Sequence, residues 1–228
     1  MSPLFWRFFA VPLAGFIVLT IGTLRLSRRE PYTPVRAYIL LAVAVALGTY
    51  LVWCQVQTAF DRQWAINRAD NTERVLAQPV GWLTRLLTTQ TAANAALNVG
   101  RTDRAAHWAQ QLLDMAEGHE DDLNYGSAIH TGNIVLGRMA LQRGDIESGK
   151  RHLLAAGKSP GSPTLCSFGP DMLLARDLLV LGEKDTVLAY LDQCQLFWNE
   201  PRHVEKLRKW RSAIANDEMP DFEENFHY

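Results

Sequence analysis

Two adjacent side chains, the thiol of Cys166 and the hydroxyl of Ser167, are the natural candidates for nucleophilic chemistry in this sequence. Either group needs a neighbouring base to accept its proton, and His130 and His152 are the histidines that the fold would have to bring to it. We interpret the chain as lacking a nucleophile elbow, a zinc-binding HExxH helix and a phosphate-binding loop. The sequence therefore predicts no enzyme and no catalytic residues.

The acidic segment EGHEDDLNYG, residues 117–126, gathers carboxylates and a histidine, which are also metal-binding side chains. Such a run is more typical of a solvated linker or of a helix start, because neighbouring like charges keep a segment in water. We interpret the segment as a linker and predict neither a metal nor a cofactor.

The three cysteines differ in their surroundings. Cys54 ends an apolar run, and we interpret it as a small apolar residue rather than a lipidated thiol. Cys166 and Cys194 would close a loop if they paired in an oxidising compartment, although nothing in their spacing demands it. The absence of a CxxC pair argues against a zinc ribbon and a thioredoxin-like redox site.

Charge is distributed unevenly along the 228 residues. Residues 1–56 contain five Arg and one Glu, whereas residues 57–228 contain 18 basic and 23 acidic side chains. An acidic globular part without a basic stripe argues against nucleic-acid binding. No small-molecule substrate is indicated either.

Two apolar runs stand at the beginning of the chain. Residues 8–24 and residues 37–60 contain no charged side chain, and a bilayer-spanning helix needs about 20 such residues. Trp6 and Trp53 lie near their outer ends, as interfacial anchors do. We predict a two-span transmembrane hairpin over residues 1–56; buried helices of a soluble protein and a cleaved signal peptide are the alternatives.

The connector between the runs, RLSRREPYTPVRA, contains four arginines. The positive-inside rule favours the cytoplasm for this connector, which would place both termini on the periplasmic side of a bacterial inner membrane. Arg62, Arg68 and Arg74 follow the second run and favour the opposite orientation, although acidic residues are interleaved with them.

The segment NIVLGRMALQRGDIESGKRHLLAAG, residues 133–157, has apolar residues at helical spacing on both sides of a Gly-Asp pair. Gly144 can end one helix in the left-handed conformation, and Asp145 can cap the next. The resulting helical hairpin needs a neighbour to bury its apolar face. The same layout recurs around Gly100 and Gly182, which predicts three hairpins.

The central hairpin resembles a tetratricopeptide repeat, with Leu136 and Gly137 before the turn and Gly149, Leu153 and Ala156 after it. The matching residues of the other two hairpins are Ala92, Ala93, Ala105, Ala109 and Leu112 in the first, and Leu174, Ala175, Val187, Leu191 and Cys194 in the third. The turn glycines are 44 and 38 positions apart, whereas the family repeats every 34 residues, so the repeats are degenerate. The loop at residues 157–171 also resembles one in a group of bacterial membrane-anchored repeat proteins. In this loop Leu165 and Phe168 are expected to pack on the repeats, and Pro170 is expected to begin the third hairpin.

The resemblance implies an all-α fold: an N-terminal transmembrane helical hairpin, then an α-solenoid of about three helix-turn-helix units and a capping helix. A closed helical bundle without a groove is the alternative. We predict a stalk helix at 57–79, the repeat domain at 80–216 and an acidic-aromatic tail at 217–228. The cap carries Val204, Leu207, Trp210 and Ile214 on one face, and the tail is expected to dock on the domain or to be disordered rather than to serve as a linear motif.

Family geometry further implies a groove lined by first-helix residues, among them Asn94, Asn133 and Arg138, that holds a protein or peptide partner. The sequence thus favours a membrane-anchored adaptor or scaffold for protein–protein interaction. The alternative is a structural or assembly subunit of a larger membrane complex, in which the transmembrane hairpin makes the specific contacts.

Overall fold

The computed structural model describes residues 34–222 and Asn225. Over these residues the chain is all-α, with nine helices and no strand. In chain order the helices are α1 (Pro34–Leu76), α2 (Trp82–Asn98), α3 (Thr102–Ala116), α4 (Tyr125–Gln142), α5 (Ile146–Gly157), α6 (Pro163–Phe168), α7 (Leu173–Val180), α8 (Lys184–Cys194) and α9 (Pro201–Ala215).

Helix α1 is 43 residues long and exposes many apolar side chains, Leu47, Leu51 and Trp53 each by more than half. By length and composition it is the one helix of the described part that could cross a membrane, over Leu40–Leu76. The first predicted span, residues 8–24, lies outside the described residues. The structure therefore contains one long apolar helix where the sequence predicts a two-span hairpin.

The predicted boundary between span and stalk, at residue 57, falls inside α1, which runs through it without a break. The helix ends at Leu76, shortly before Pro79, because the residue before a proline is disfavoured in helical conformation. The chain divides into two units between Trp64 and Ala65.

The end of α1, from Ala65 onward, belongs to the globular unit. Arg101 Nη1 lies 2.6 Å from Asp70 Oδ1, and Arg104 Nε lies 3.0 Å from Glu73 Oε1. The hydrogen bond from Arg104 lowers the pKa of Glu73. Leu76 packs in one apolar cluster with residues of α2 and α3, so both charge pairing and apolar burial fix the end of α2 and the start of α3 on the helix end.

Three helix pairs, α2–α3, α4–α5 and α7–α8, are joined by three-residue connectors of the same geometry. Their central glycines have φ of 77° (Gly100), 79° (Gly144) and 85° (Gly182). In each connector the residue after the glycine donates its N–H to the carbonyl five positions back: Arg101 to Ala96, Asp145 to Ala140 and Glu183 to Leu178, at 2.8 to 3.0 Å. These are Schellman turns, and the predicted hairpin turns are confirmed.

The predicted cap at Asp145 is also confirmed. Its Oδ1 accepts the N–H of Ser148 at 2.9 Å, which satisfies one of the free donors at the beginning of α5. Arg101 and Glu183 hold the same position in the other two connectors without a side-chain cap.

The pairs contact one another in chain order, since α3 and α2 pack on α4, and α5 and α4 pack on α7 and α8. Small residues allow close approach both within and between pairs: a Cβ at Gly149 of α5 would lie 2.5 Å from Leu141 Cδ2 of α4, and one at Gly137 of α4 would overlap Leu174 of α7. Leu136 is partly buried, whereas the other non-glycine residues that match the repeat are at most 1% exposed: Ala92, Ala93, Ala105, Ala109, Leu112, Leu153, Ala156, Leu174, Ala175, Val187, Leu191 and Cys194.

Gly126, in the first turn of α4, lies directly against the backbone of Gly161. An added Cβ would overlap the Gly161 carbonyl oxygen, and backbone cannot move aside as a side chain can. We therefore expect Gly126→Ala to lower the free energy of unfolding by about 1–3 kcal/mol, measured by thermal melting in detergent. Gly81→Ala, where nothing lies within 4 Å, is the control and should cost less than about 1 kcal/mol. Equal melting temperatures for the two variants would show that the loop yields freely.

The loop at residues 157–171 is ordered around the short helix α6, and Leu165 is buried as expected. Phe168 is 68% exposed, so its predicted packing on the repeats is wrong. Pro170 is not in the first turn of the third hairpin either, because α7 begins at Leu173. Asp171 Oδ1 accepts the N–H of Leu173 at 2.8 Å and starts the helix after the proline.

Helix α9 buries Leu207, Trp210 and Ile214, as predicted for the last helix, and leaves Val204 half-buried. The acidic-aromatic tail follows it. Phe222 is 1% exposed and belongs to the same apolar cluster as Trp210. The described part of the tail is therefore docked on the domain, whereas Phe226 and Tyr228 lie outside the described residues.

Candidate partner-binding site

The turn glycines give a common register for the first helices of the three pairs. Six positions before each glycine stand Asn94, Arg138 and Arg176. Eleven positions before stand Thr89 of α2 and Asn133 of α4, and also Asp171, which precedes α7. Two residues five positions apart on a helix differ in direction by about 140° after one full turn. The two rows therefore face different directions. The first row is half-buried and the second is buried.

Asn133 lies inside the α4–α5 pair, where it is 7% exposed. Its Nδ2 donates to the carbonyl of Ile129 at 2.9 Å, and its Oδ1 lies 2.9 Å from His152 Nδ1. Both ends of the amide are thus occupied by the chain itself. Burial, with the charge of Arg151 as a smaller contribution, lowers the pKa of His152.

A cleft of about 480 Å³ lies between the ends of α4 and α7, and we call it the α4–α7 groove. Val180 is 72% exposed and Leu181 is 49% exposed there. The lining residues are Arg138, Leu141, Gln142, Arg176, Asp177, Val180 and Leu181. Of the three residues expected to contact a partner, Arg138 borders this groove; Asn94 lies on α2, outside it.

The charged side of the α4–α7 groove is built around the carboxylate of Asp177. Arg138 Nε donates to its Oδ2 at 3.2 Å, and Arg176 Nη2 donates to its Oδ1 at 3.0 Å. The hydrogen bond from Arg138 to Asp177 uses Nε. It fixes the orientation of the guanidinium group, and the two Nη nitrogens take no part in it. Two guanidinium groups beside one carboxylate give the groove a net positive charge next to an exposed apolar surface.

A buried polar cluster lies close to the groove. Tyr190 Oη donates to the backbone carbonyl of Asp171 at 3.2 Å and lies 2.9 Å from His130 Nε2. Burial raises the pKa of the Asp171 carboxyl from 3.8 to about 7, against the hydrogen bond from Leu173 and the charges of Arg138 and Arg176. Burial also raises the pKa of Tyr190 and of Cys194. These groups lie between α4, α7 and α8 and are closed to a ligand.

The histidines considered as bases are hydrogen-bonded to other side chains, and the thiol considered as a nucleophile is exposed. His130 and His152 are hydrogen-bonded to Tyr190 and Asn133, and Cys166 is exposed on α6. Cys54, Cys166 and Cys194 are all free thiols. No group of three or more His, Cys, Asp and Glu side chains suited to a metal ion occurs in the described part of the chain.

Sequence reasoning passed over a GxSxG match, GKSPG at residues 157–161. A nucleophile elbow joins a strand to a helix and exposes its serine. Here the motif follows helix α5, and Ser159 is 5% exposed. Its Oγ donates to the carbonyl of Gly126 at 2.9 Å and accepts the N–H of Gly161 at 3.1 Å, so this serine holds the loop on α4.

A second overlooked match is GDIESGK, residues 144–150, which fits GxxxxGK. A phosphate-binding loop follows a strand and continues with Ser or Thr, whereas here a helix precedes and Arg151 follows. Lys150 lies 3.1 Å from Glu147 and 2.9 Å from Glu183. The motif therefore forms a Schellman turn and the start of α5, with its lysine in ion pairs.

No protein family, no curated protein and no solved structure matches this chain. Sequence reasoning missed Arg176 and Asp177, and counting six positions back from Gly182 would have found Arg176.

Proposed function

We propose that this protein is a membrane-anchored adaptor that holds a protein or peptide partner in the α4–α7 groove. The observation that carries the proposal is the groove itself, in which exposed Val180 and Leu181 stand beside Arg138 and Arg176. Interfaces combine such apolar contact area with arginines more often than the rest of a protein surface does. A binding role needs no further chemistry from these residues.

The proposed architecture is a degenerate tetratricopeptide-like solenoid of three hairpins closed by α9. Support comes from the three identical Schellman turns, from the small residues at the helix contacts and from the chain order in which the pairs meet. A row of hairpins leaves the first helices along one surface, and the groove lies between two of those first helices.

The proposed anchor is a pair of spans in a bacterial inner membrane, with the domain on the periplasmic side. Helix α1 supports one span, because its apolar side chains are exposed and its most apolar window is only 6% buried. The arginine-rich connector before it supports the orientation. Anchoring would raise the concentration of the domain near other membrane proteins.

The test is capture of partners by the full chain from native membranes, with quantitative mass spectrometry. Val180→Asp places a charge in the groove without disturbing the core, since Val180 is 72% exposed. Leu196→Asp is the matched control, because Leu196 is 78% exposed and does not line the groove. We expect Val180→Asp to reduce captured partners at least tenfold, because the new carboxylate must be desolvated on binding and neutralises the arginines of the groove, and Leu196→Asp to leave them unchanged.

If Val180→Asp retains the same partners as the parent chain, the groove does not hold them. Recognition by the spans, as in a subunit of a larger membrane complex, would then account for the captured proteins. Loss of partners with both variants would also count against the groove.

A further inference from the structure

The last described residues of the chain contact the domain as a short peptide contacts a receptor. The carbonyl of Asp221 accepts Trp210 Nε1–H at 2.8 Å, and the Phe222 ring meets the Trp210 ring edge-on with centroids 5.0 Å apart. The backbone carbonyl of Asn225 accepts the N–H of Met172 at 2.9 Å. These contacts define a tail pocket, formed by residues 168–172, Trp198 and Trp210.

The pocket is shaped for an asparagine. Asn225 Nδ2 donates to the carbonyls of Phe168 at 2.9 Å and Pro170 at 3.3 Å, so two acceptors face one amide nitrogen. Gly169 has φ of 88°, and a Cβ there would lie 2.5 Å from Asn225 Nδ2 and 2.6 Å from Trp198 Cζ2. An aspartate in place of Asn225 would set its oxygens against these carbonyls, so the pocket selects the amide.

Charge also favours this segment. Residues 217–224 contain five acidic side chains and no basic one. Beside the pocket, Arg202, Lys206 and Lys209 of α9 line a cleft of about 510 Å³ that also contacts Met219, Pro220 and Asp221. Glu205 lines the cleft too, but its carboxylate is paired with Arg208. A basic rim next to an aromatic-lined pocket complements an acidic segment with a phenylalanine.

The docking is incomplete in its hydrogen bonds. Asn225 Oδ1 and Trp198 Nε1 are buried and have no partner among the described residues. Burying a polar group without a hydrogen-bond partner is unfavourable, which lowers the net gain from docking the segment. Residues 215–219, which lead to it, are exposed, and Asp217 has φ of 62°. Asp217 also pairs with Lys184 of α8, and the N–H of Glu218 donates to the carbonyl of Ala213 at 2.8 Å. The link is therefore held on the domain, and the part of the segment that can leave the pocket begins at Met219.

We propose that the tail pocket is a recognition site for an acidic segment with an aromatic residue and, three positions later, an asparagine. The chain's own Phe222 and Asn225 fill it in cis, and the same segment of a second copy fills it in trans. Exchange of an identical element between copies is an established route to association. This site is separate from the α4–α7 groove and does not depend on it.

The test uses a fluorescein-labelled synthetic peptide of residues 217–228 and fluorescence anisotropy in detergent. The first receptor is the chain truncated after Met219; the second is the full chain with Asn225→Ala, which keeps Phe222. We expect saturable binding to both receptors, and at least tenfold weaker binding to the parent chain, whose pocket is filled. Peptides carrying Phe222→Ala or Asn225→Ala should bind the receptors at least tenfold more weakly than the unaltered peptide.

Equal binding of the unaltered and Asn225→Ala peptides would overturn the proposal. It would also be overturned if neither receptor binds the peptide while circular dichroism shows that the Asn225→Ala chain keeps the helix content of the parent. The Asn225→Ala receptor keeps the test decisive if the truncated chain fails to fold. Gly169→Ala introduced into that receptor should abolish peptide binding, since it fills the space of Asn225.

Discussion

Asp171→Asn is expected to stabilise the protein at pH 8 by up to about 4 kcal/mol and to leave its stability at pH 4 nearly unchanged. Burial raises the pKa of this carboxyl from 3.8 to about 7 in the folded chain. Between these two values the unfolded chain has lost the proton and the folded chain keeps it, so stability falls as pH rises from about 4 to 7. About three pKa units correspond to about 4 kcal/mol. Asparagine removes the titration and still offers an oxygen to the N–H of Leu173.

The groups that face Asp171 belong to three helices, and they make smaller contributions to its pKa. Arg138 on α4 and Arg176 on α7 lower its pKa, Asp177 on α7 raises it, and the backbone carbonyl of Asp171 accepts the hydroxyl of Tyr190 on α8.

Urea denaturation of the full chain in detergent at pH 4, 6 and 8, followed by tryptophan fluorescence, measures the difference between the parent and Asp171→Asn. The titration of His152 is common to both chains and cancels in that difference. Asp121→Asn is the control, because Asp121 is exposed. A difference that is the same at all three pH values would show that the carboxyl does not titrate in the folded chain.

Phe222→Ala is expected to cost about 3–5 kcal/mol, whereas Phe168→Ala should cost less than about 0.5 kcal/mol. The two substitutions remove the same side chain from opposite surroundings, since Phe222 is 1% exposed and Phe168 is 68% exposed. Removing the Phe222 ring leaves a cavity against Trp210 within the cluster that closes the C-terminal end of the domain.

Thermal melting of both variants, read from circular dichroism and from tryptophan fluorescence, checks the expectation. The fluorescence transition should move further than the total helix signal in Phe222→Ala, because Trp210 lies beside the missing ring and Trp198 packs on Trp210. An unchanged melting temperature in this variant would mean that the tail is not part of the folded core.

The hairpins could be predicted from the sequence because they rest on local signals. A glycine at each turn, the aspartate cap at Asp145 and apolar residues at helical spacing each act within a few positions, and the structure bears them out. The small residues Gly137 and Gly149 were equally readable, since close helix packing excludes a side chain whatever the neighbour is. All these features are properties of one helix or one turn.

The site depended on contacts between distant positions and was harder to predict. Asn133 and Arg138 both lie on α4, but their directions differ, and one is enclosed while the other reaches Asp177 on α7. Phe168 and Phe222 are the same residue type, and contacts with distant residues such as Trp210 bury Phe222 alone. Local patterns fix which residues form a helix, whereas the choice of groove and core partners is made between helices.

The docked tail has a practical consequence for measuring which side of the membrane the domain occupies. Reporter enzymes and affinity tags are commonly fused behind the last helix, but Asn225 is held by Phe168, Pro170 and Met172. A fusion placed directly behind Asn225 would strain these contacts. The turn at Gly118, where φ is 78° and nothing lies within 4 Å of an added Cβ, offers an exposed insertion point instead.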